Sequence, residues 1–307
     1  MADVRMADVQ TIRKDPYPSR TQERPRLIDR VDPVVYGPAD AGPLSAEQVE
    51  TFDRDGALIV PNLIDGDELA RLRARLDRLV ADPMVRADER TVIELESDEV
   101  RSIFEVHRSD EVFADVASDP RIADAARQLL GSDVYIHQSR INLKPGFAGA
   151  GFWWHSDFET WHAEDGMPRM RAVSASITLT DNHPFNGPLM VIAGSHRTFV
   201  TTMGATPEDH YKRSLRKQEI GVPDEDSLRR LTQQGEIKQM TGPAGSVVFF
   251  DCNVMHGSGG NITPFPRSNV FMVYNSVENA LEEPFAANEP RPEFIAARDV
   301  SPVPRRS

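Results

Sequence analysis

His155 and Asp157 offer a neutral nitrogen donor and a carboxylate within Phe152-Trp153-Trp154-His155-Ser156-Asp157-Phe158-Glu159-Thr160-Trp161-His162. Read as a strand, this stretch puts residues i and i+2 on one face, where both side chains can grip one ion. His256, in Asn253-Val254-Met255-His256-Gly257-Ser258, supplies a second imidazole about 100 residues later, just past a Val/Phe run. Two imidazoles and one carboxylate on one face of an ion are the donor set of non-haem Fe(II) oxygenases. The ion's open positions then accept a bidentate 2-oxoacid and O2. His-x-Asp arises by chance in many chains, and a single histidine is more often a hydrogen-bonded core residue; the joint pattern is what carries weight. Zinc takes the same donors, although the chain has no His-Glu-x-x-His helix.

A 2-oxoacid with a second carboxylate needs a counter-charge, and the planar fork of arginine suits one. Arg267 follows His256 closely. Its sequence context, Pro264-Phe265-Pro266-Arg267, fits a surface arginine equally well. Ser258 can add a hydroxyl to the same clamp, with Ser176 and Asn142 as weaker candidates. The run Val134–Lys144 alternates, with Gln138, Arg140, Asn142 and Lys144 sharing one face. Such a polar face usually meets solvent. Its position just before the metal motif points instead to a cavity wall for at least Gln138, Asn142 and Lys144. Of the clustered aromatics Phe152, Trp153, Trp154, Phe158 and Trp161, most read as core. Trp161 is the best placed to touch substrate, and an indole face suits a small cationic ring.

The elements that must position these groups follow from pattern. Residues 1–43 hold Pro16, Pro18, Pro25, Pro33, Pro38 and Pro43 among many charges, which predicts an irregular arm lying across the domain surface. Ser45-x-x-Gln48 and Asp65-x-x-Glu68 are capping boxes. Leu69, Leu72, Leu76, Leu79 and Val80 recur at helical spacing. Pro120 at a helix start and Gly131 at its end bracket a further helix. Strands follow at Val134–Lys144, Phe152–Asp157, Val173–Leu179, Leu189–Ile192, Gly245–Asp251 and Val270–Val277. Thr91–Glu96 is a further short strand. Thr160–Arg171, with Gly166 and Pro168, reads as a loop at the barrel mouth, and residues 204–235 as an excursion. Helices first and short strands afterwards predict an α+β fold, a double-stranded β-helix or jelly roll with flanking helices. The expected layout is the arm, one domain over residues 44–285, and a poorly ordered tail over residues 286–307.

Composition sets the outer bounds. The chain has 307 residues, with 48 acidic against 35 basic residues and a net charge of −13, which argues against nucleic acid and anionic membranes. Cys252 is the only cysteine, excluding an intrachain disulfide and a multi-Cys zinc site. No apolar stretch reaches the roughly 18 residues of a membrane span. Met1–Arg20 lacks the apolar core of a signal peptide, so the expected location is the cytoplasm. Met-Ala-Asp-Val occurs at Met1–Val4 and again at Met6–Val9 and carries no functional weight.

The stretch from Phe152 to Ala172, Phe-Trp-Trp-His-Ser-Asp-Phe-Glu-Thr-Trp-His-Ala-Glu-Asp-Gly-Met-Pro-Arg-Met-Arg-Ala, resembles the signature of the ectoine hydroxylases. So do Asp15-Pro16-Tyr17-Pro18-Ser19-Arg20, Gln138-Ser139-Arg140-Ile141-Asn142 and Asn253–Asn261. The wider group is the phytanoyl-CoA dioxygenase-like branch of 2-oxoglutarate oxygenases, with a double-stranded β-helix core. The resemblance implies hydroxylation of ectoine to 5-hydroxyectoine, with 2-oxoglutarate and O2 consumed and succinate and CO2 released. It implies His155, Asp157 and His256 as Fe(II) ligands. Arg267, Lys144, Asn142, Ser176, Ser258 and Phe152 would form the 2-oxoglutarate pocket, with Gln138, Thr160 and Trp161 assigned to ectoine. It also implies a homodimer. Related halogenases carry a small residue in place of the carboxylate; Asp157 therefore points to hydroxylation. The residues alone also fit the same chemistry on another small amino acid or solute, or a non-catalytic metal-binding barrel.

Overall fold

The computed structural model describes residues 15–94, 97–215 and 218–306. The Met-Ala-Asp-Val repeat, and Leu95 and Glu96 at the end of the expected strand Thr91–Glu96, lie outside these; that strand is seen over Thr91–Ile93.

The amino-terminal half builds one layer of helices. Ser45 and Gln48 cap the helix Ala46–Asp55 reciprocally, and Gly56 ends it at φ 75°. Asp65 and Glu68 do the same for Gly66–Ala81, whose Leu69, Leu72, Leu76 and Leu79 are buried. Burying one such leucine contributes roughly 1.5–3 kcal/mol. Pro120–Leu130 starts on its proline and closes on Gly131 at φ 61°. These helices pack with Val134, Ile141, Val173, Ile177, Val247, Phe249, Val270 and Met272 into the largest apolar cluster.

That cluster covers one face of a seven-stranded antiparallel sheet. Its spatial order is Ala57–Val60, Val247–Asp251, Ala172–Thr178, Arg267–Ser276, Val134–Lys144, Val100–Phe104, Thr91–Ile93. A four-stranded antiparallel sheet runs Ile237–Gln239, Leu189–Ile192, His256–Ser258, Phe152–His155. Leu189 and Val191 of the smaller sheet pack against Ala57, Val248, Phe250 and Phe271 of the larger one. The result is the expected α+β fold, a jelly-roll core with flanking helices. The candidate site lies between the two sheets.

Five expectations change. First, the Val134–Lys144 strand does not keep a single pleat phase. Its register against Arg267–Ser276 slips between Val273 and Tyr274, leaving His137 without a register partner there. The bulge explains why Val134 and Ile136 join the same core as Ile141 despite opposite parity. Second, the first ligand strand ends at His155, and Asp157 opens a short helix, Asp157–Thr160. Third, the stretch expected as a mouth loop continues that helix as a buried π-helical turn, Trp161–Asp165. Fourth, residues 286–306 are not a free tail. Ile295, Ala296 and Ala297 are buried, and the Ala297 and Val303 N–H groups donate to His137 and Val134 carbonyls. The arm likewise goes deeper than expected: Tyr17 and Arg20 are buried, and Leu27–Asp29 pairs with Thr198–Val200.

Candidate metal centre and its cavity

His155 and His256 are direct register partners on neighbouring strands. Their rings therefore face each other, with centroids 4.1 Å apart. The turn that follows His155 is tied to the turn that precedes His256. The Phe158 N–H donates to the Cys252 carbonyl at 2.8 Å, and the Ser156 hydroxyl donates to Asn253 Oδ1 at 3.0 Å. Asn253 is fixed in turn by donating through Nδ2 to the His196 and Thr198 carbonyls. This bracing swings Asp157 back towards the histidines. Its carboxylate lies 3.6 Å from His155 Nε2 and 3.8 Å from His256 Nε2. One donor atom from each of the three residues lies within 4.8 Å of the others.

The donor set fits a divalent transition metal. His155 Nδ1 donates to the Trp153 carbonyl at 2.7 Å and His256 Nδ1 to the Val254 carbonyl at 3.0 Å. Those bonds fix the tautomers, so each Nε2 presents a lone pair to the common point. Burial and the neighbouring His155 push the His256 imidazolium down to about 4, leaving a neutral ligand at ordinary pH. Burial works against the Asp157 charge. His256, His155 and Arg140 nonetheless outweigh it and hold the carboxyl well below its usual range. Two lone pairs and an anion converging on one point repel each other unless a cation sits between them. The third side is left open to the cavity, the facial arrangement suited to Fe(II).

The cavity beside the triad is lined by basic side chains. Arg101, Arg140, Lys144 and Arg267 all face it, together with Asn142, Phe152, His155, Ser258, His256 and Phe271. Arg267 is held by donating from Nη1 to the Gly187 carbonyl and from Nη2 to Asn142 Oδ1, both at 2.8 Å. Its Nε is buried without a partner among the described residues. Burial, with Arg140 and Arg101 nearby, lowers its pKa to about 10. Lys144 donates to Ser258 Oγ at 3.0 Å and to the Gly259 carbonyl, with no carboxylate hydrogen-bond partner among the described residues. Burial, with Arg267 and Arg101, brings it down to about 6. The guanidinium charge of Arg140 and Arg267, in a recess that also holds the two histidines, is a receptor for an anion.

Thus the structure brings His155, His256, Arg267, Lys144, Asn142, Ser258 and Phe152 to one cavity, with Asp157 beside the two histidines. Ser176 is not on its lining: its hydroxyl accepts from Asn269 Nδ2 at 3.0 Å inside the larger sheet. Gln138, Thr160 and Trp161 also lie off the lining. Gln138 Nε2 donates to the Ile295 carbonyl, Thr160 Oγ1 accepts from Gln218 Nε2, and Trp161 packs edge-on to His137.

Arg140 and Arg101 are the residues that sequence reasoning missed. Arg140 lies over the Phe271 ring at 5.0 Å, and its Nε is buried with no partner among the described residues. The signal existed, because Arg140 shares its strand face with Asn142 and Lys144. No sequence signal marks Arg101, which enters from Val100–Phe104 and pairs with Glu94.

Comparison with known proteins matches residues 52–269 to the phytanoyl-CoA dioxygenase (PhyH) family. The ectoine dioxygenase of Stutzerimonas stutzeri is 57% identical over 286 residues, covering 93% of this chain and 95% of that protein. The ectoine dioxygenase of Nocardia farcinica is 58% identical over 291 residues, covering 95% and 96%. Among solved structures, EctD from S. alaskensis with 2-oxoglutarate and 5-hydroxyectoine superposes with a TM-score of 0.86 at 50% identity, covering 94% of this chain and 97% of that one. The form with bound Fe gives 0.86 at 49% identity, covering 95% and 98%.

Proposed function

We propose that this chain, which belongs to the phytanoyl-CoA dioxygenase family, acts as an ectoine dioxygenase. It hydroxylates ectoine to 5-hydroxyectoine, consuming 2-oxoglutarate and O2 and releasing succinate and CO2. One observation carries the reading. The two histidines of the metal-ligand triad line a cavity whose other walls present two arginines whose Nε groups have no partner among the described residues. Two separate anion anchors match a reaction that brings two carboxylate-bearing molecules to one metal.

His155, Asp157 and His256 hold the Fe(II), which when bound supplies the activation of O2 and the oxidative power. Arg267, held in place by Gly187 and Asn142, receives the distal carboxylate of 2-oxoglutarate, assisted by Lys144 and Ser258. Phe152, 4.9 Å from the His155 ring, forms an apolar wall against the body of that molecule. Arg140 receives the ectoine carboxylate, and the Phe271 ring beneath it holds the planar guanidinium in place. Gln138, Thr160 and Trp161 frame the ectoine side from behind the lining, and Ser176 supports the 2-oxoglutarate side through Asn269. Work is thereby divided: the chain orients both molecules and excludes water, and the metal carries the hard chemistry. Two copies of this chain form the working unit, in the cytoplasm. No helix among the described residues is long and apolar enough to cross a membrane.

The test is succinate release by iron-loaded protein with and without ectoine, with NMR identification of the product. Ectoine should accelerate 2-oxoglutarate turnover and appear as 5-hydroxyectoine in near-equal amount to succinate. No acceleration by ectoine sinks the reading.

A further inference from the structure

Asp15-Pro16-Tyr17-Pro18-Ser19-Arg20 has no part in the chemistry described so far, yet its last residue ends in a buried charge cluster. The Arg20 side chain is fully buried and faces two buried carboxylates. Nε and Nη2 donate to Glu159 Oε1 and Oε2 at 3.1 and 3.0 Å, and Nη1 donates to Glu164 Oε1 at 2.6 Å. Its backbone sits at φ 55°, a left-handed shape that disfavours a non-glycine residue. Something other than backbone preference keeps arginine there.

Glu159 and Glu164 flank Thr160 and Trp161 in the helix that begins with Asp157. In an α-helix, residues five apart lie about 140° round the axis and could not share one guanidinium. The π-helical turn, with Gly166 N–H donating to the Trp161 carbonyl, widens the coil and brings both carboxylates to one side. The π-turn and Arg20 therefore belong together. The same guanidinium reaches the excursion that follows the barrel strands: Nη1 donates to Thr206 Oγ1 at 2.8 Å. His210 Nδ1 bonds to Glu164 Oε1 at 2.8 Å. That excursion delivers Leu215 to the cavity lining and Gln218 to Thr160. Gly221 closes over the pair, where an added Cβ would stand 2.3 Å from Glu159 Oε2.

We propose that Arg20 is a positioning residue for ectoine: through Glu159 and Glu164 it locks the Asp157–Asp165 helix to the 204–215 excursion and so fixes the roof of the cavity. The inference rests on the ectoine reading for its substrate and on the bonds above for its geometry. Arg20 touches neither the metal ligands nor the basic cavity wall, so its loss acts on the ectoine side and spares 2-oxoglutarate.

The experiment uses the full-length, iron-loaded protein and Arg20→Lys, which keeps the charge and loses the fork. The KM for ectoine should rise at least fivefold. The fraction of 2-oxoglutarate turnovers that yield 5-hydroxyectoine should fall by at least half, with the KM for 2-oxoglutarate within twofold of the parent. Amide exchange, read by peptide mass spectrometry, should speed up at least tenfold over residues 157–167 and 204–215 and stay unchanged in Val134–Lys144. A purely structural role would lower the melting temperature and the active fraction and leave both KM values and the coupling alone. If Arg20→Lys fails to give a cooperative melt, Glu159→Gln takes its place with the same readouts. An ectoine KM and coupled fraction within twofold of the parent, or unchanged exchange over 157–167, overturns the proposal. The parent's own ectoine turnover in the same series tests the functional reading. If the parent ignores ectoine, the exchange comparison alone decides on Arg20.

Discussion

Arg140→Met should weaken ectoine binding strongly and raise the stability of the ligand-free protein. Arg140 stands beside the metal carboxylate and over Phe271, with its Nε shut away from any partner among the described residues. Burial, together with Arg101, lowers its pKa, and only Asp157 works in the other direction. A cation kept in such a place has a ligand to meet. A guanidinium–carboxylate fork comprises two charge-assisted hydrogen bonds, each worth about 1.5–3 kcal/mol. Taking about 3 kcal/mol for the pair, to allow for water in the open cavity, gives roughly a 150-fold rise in the KM for ectoine. Arg140→Lys keeps charge and loses the fork, so about tenfold is expected. Methionine fills a similar volume and removes a buried charge that has no carboxylate hydrogen-bond partner among the described residues, which relieves a desolvation cost. A gain of about 1 kcal/mol corresponds to a rise of about 2 °C in Tm for a chain of this size. Steady-state kinetics with each co-substrate varied, and thermal melts of the iron-loaded, ligand-free protein, measure both effects. An Arg140→Met enzyme that saturates with ectoine within threefold of the parent refutes the assignment. A Tm lowered by 5 °C or more would show that Arg140 is structural.

Three further outcomes follow from the same geometry. His155→Ala removes a ligand that nothing nearby replaces, so iron content by elemental analysis and turnover should both fall by more than tenfold. Burial, with Arg267 and Arg101 nearby, brings Lys144 down to about 6. A bound carboxylate favours its charged form, so 2-oxoglutarate binding takes up a proton above pH 6, and affinity falls as pH rises from there towards the bound-state pKa. Calorimetry in buffers of different ionisation enthalpy should show that uptake in the parent and lose it in Lys144→Met. Trp161 is 3% exposed and packs with Tyr17, Phe158 and Met167. Trp161→Ala should therefore cost about 3–5 kcal/mol of stability, against much less for Trp161→Phe, as read by chemical denaturation.

The donor triad was legible because its chemistry restricts residue type, but the backbone reason drawn from spacing was different from the one found. An i, i+2 strand places both side chains on one face, whereas Asp157 reaches the metal point from the first turn of a helix. Bonds from Phe158 to Cys252 and from Ser156 to Asn253 aim it there, and partners nearly 100 residues apart leave no local trace. The π-turn was read as a loop because Gly166 and Pro168 are loop residues. What holds Trp161–Asp165 in place is Arg20, Arg291 and His210, from remote parts of the chain. Hydrophobic stripes and caps announced the helix layer correctly, since those signals are local. The strand Val134–Lys144 was found but its faces were not, because one bulge at His137 exchanges them.

The charges of this protein are sorted by depth in a way that separates holding from binding. Around Arg20, Arg30 and Arg291, buried arginines meet buried carboxylates in two-point contact: Glu159, Asp251 and Asp165. Those pairs offset their own desolvation only because the remaining lone pairs are also hydrogen-bonded. Around the triad the opposite holds. Among the described residues Arg140 and Lys144 enter the cavity without carboxylate hydrogen-bond partners, and Arg267 has only an amide and a carbonyl. A fold selected for stability alone would pair or remove them. Their persistence beside three convergent metal donors is the cost of a pocket that gains its counter-ions from its substrates. It follows that 2-oxoglutarate and ectoine together should stabilise the iron-loaded protein by less than the sum of their separate effects. Each carboxylate draws on the field of all the cations that line the recess, so the first one bound leaves less attraction for the second, and the two carboxylates repel each other. Melts with each ligand singly and with both under nitrogen measure this coupling directly, and strict additivity would show that the two anion anchors do not sense each other.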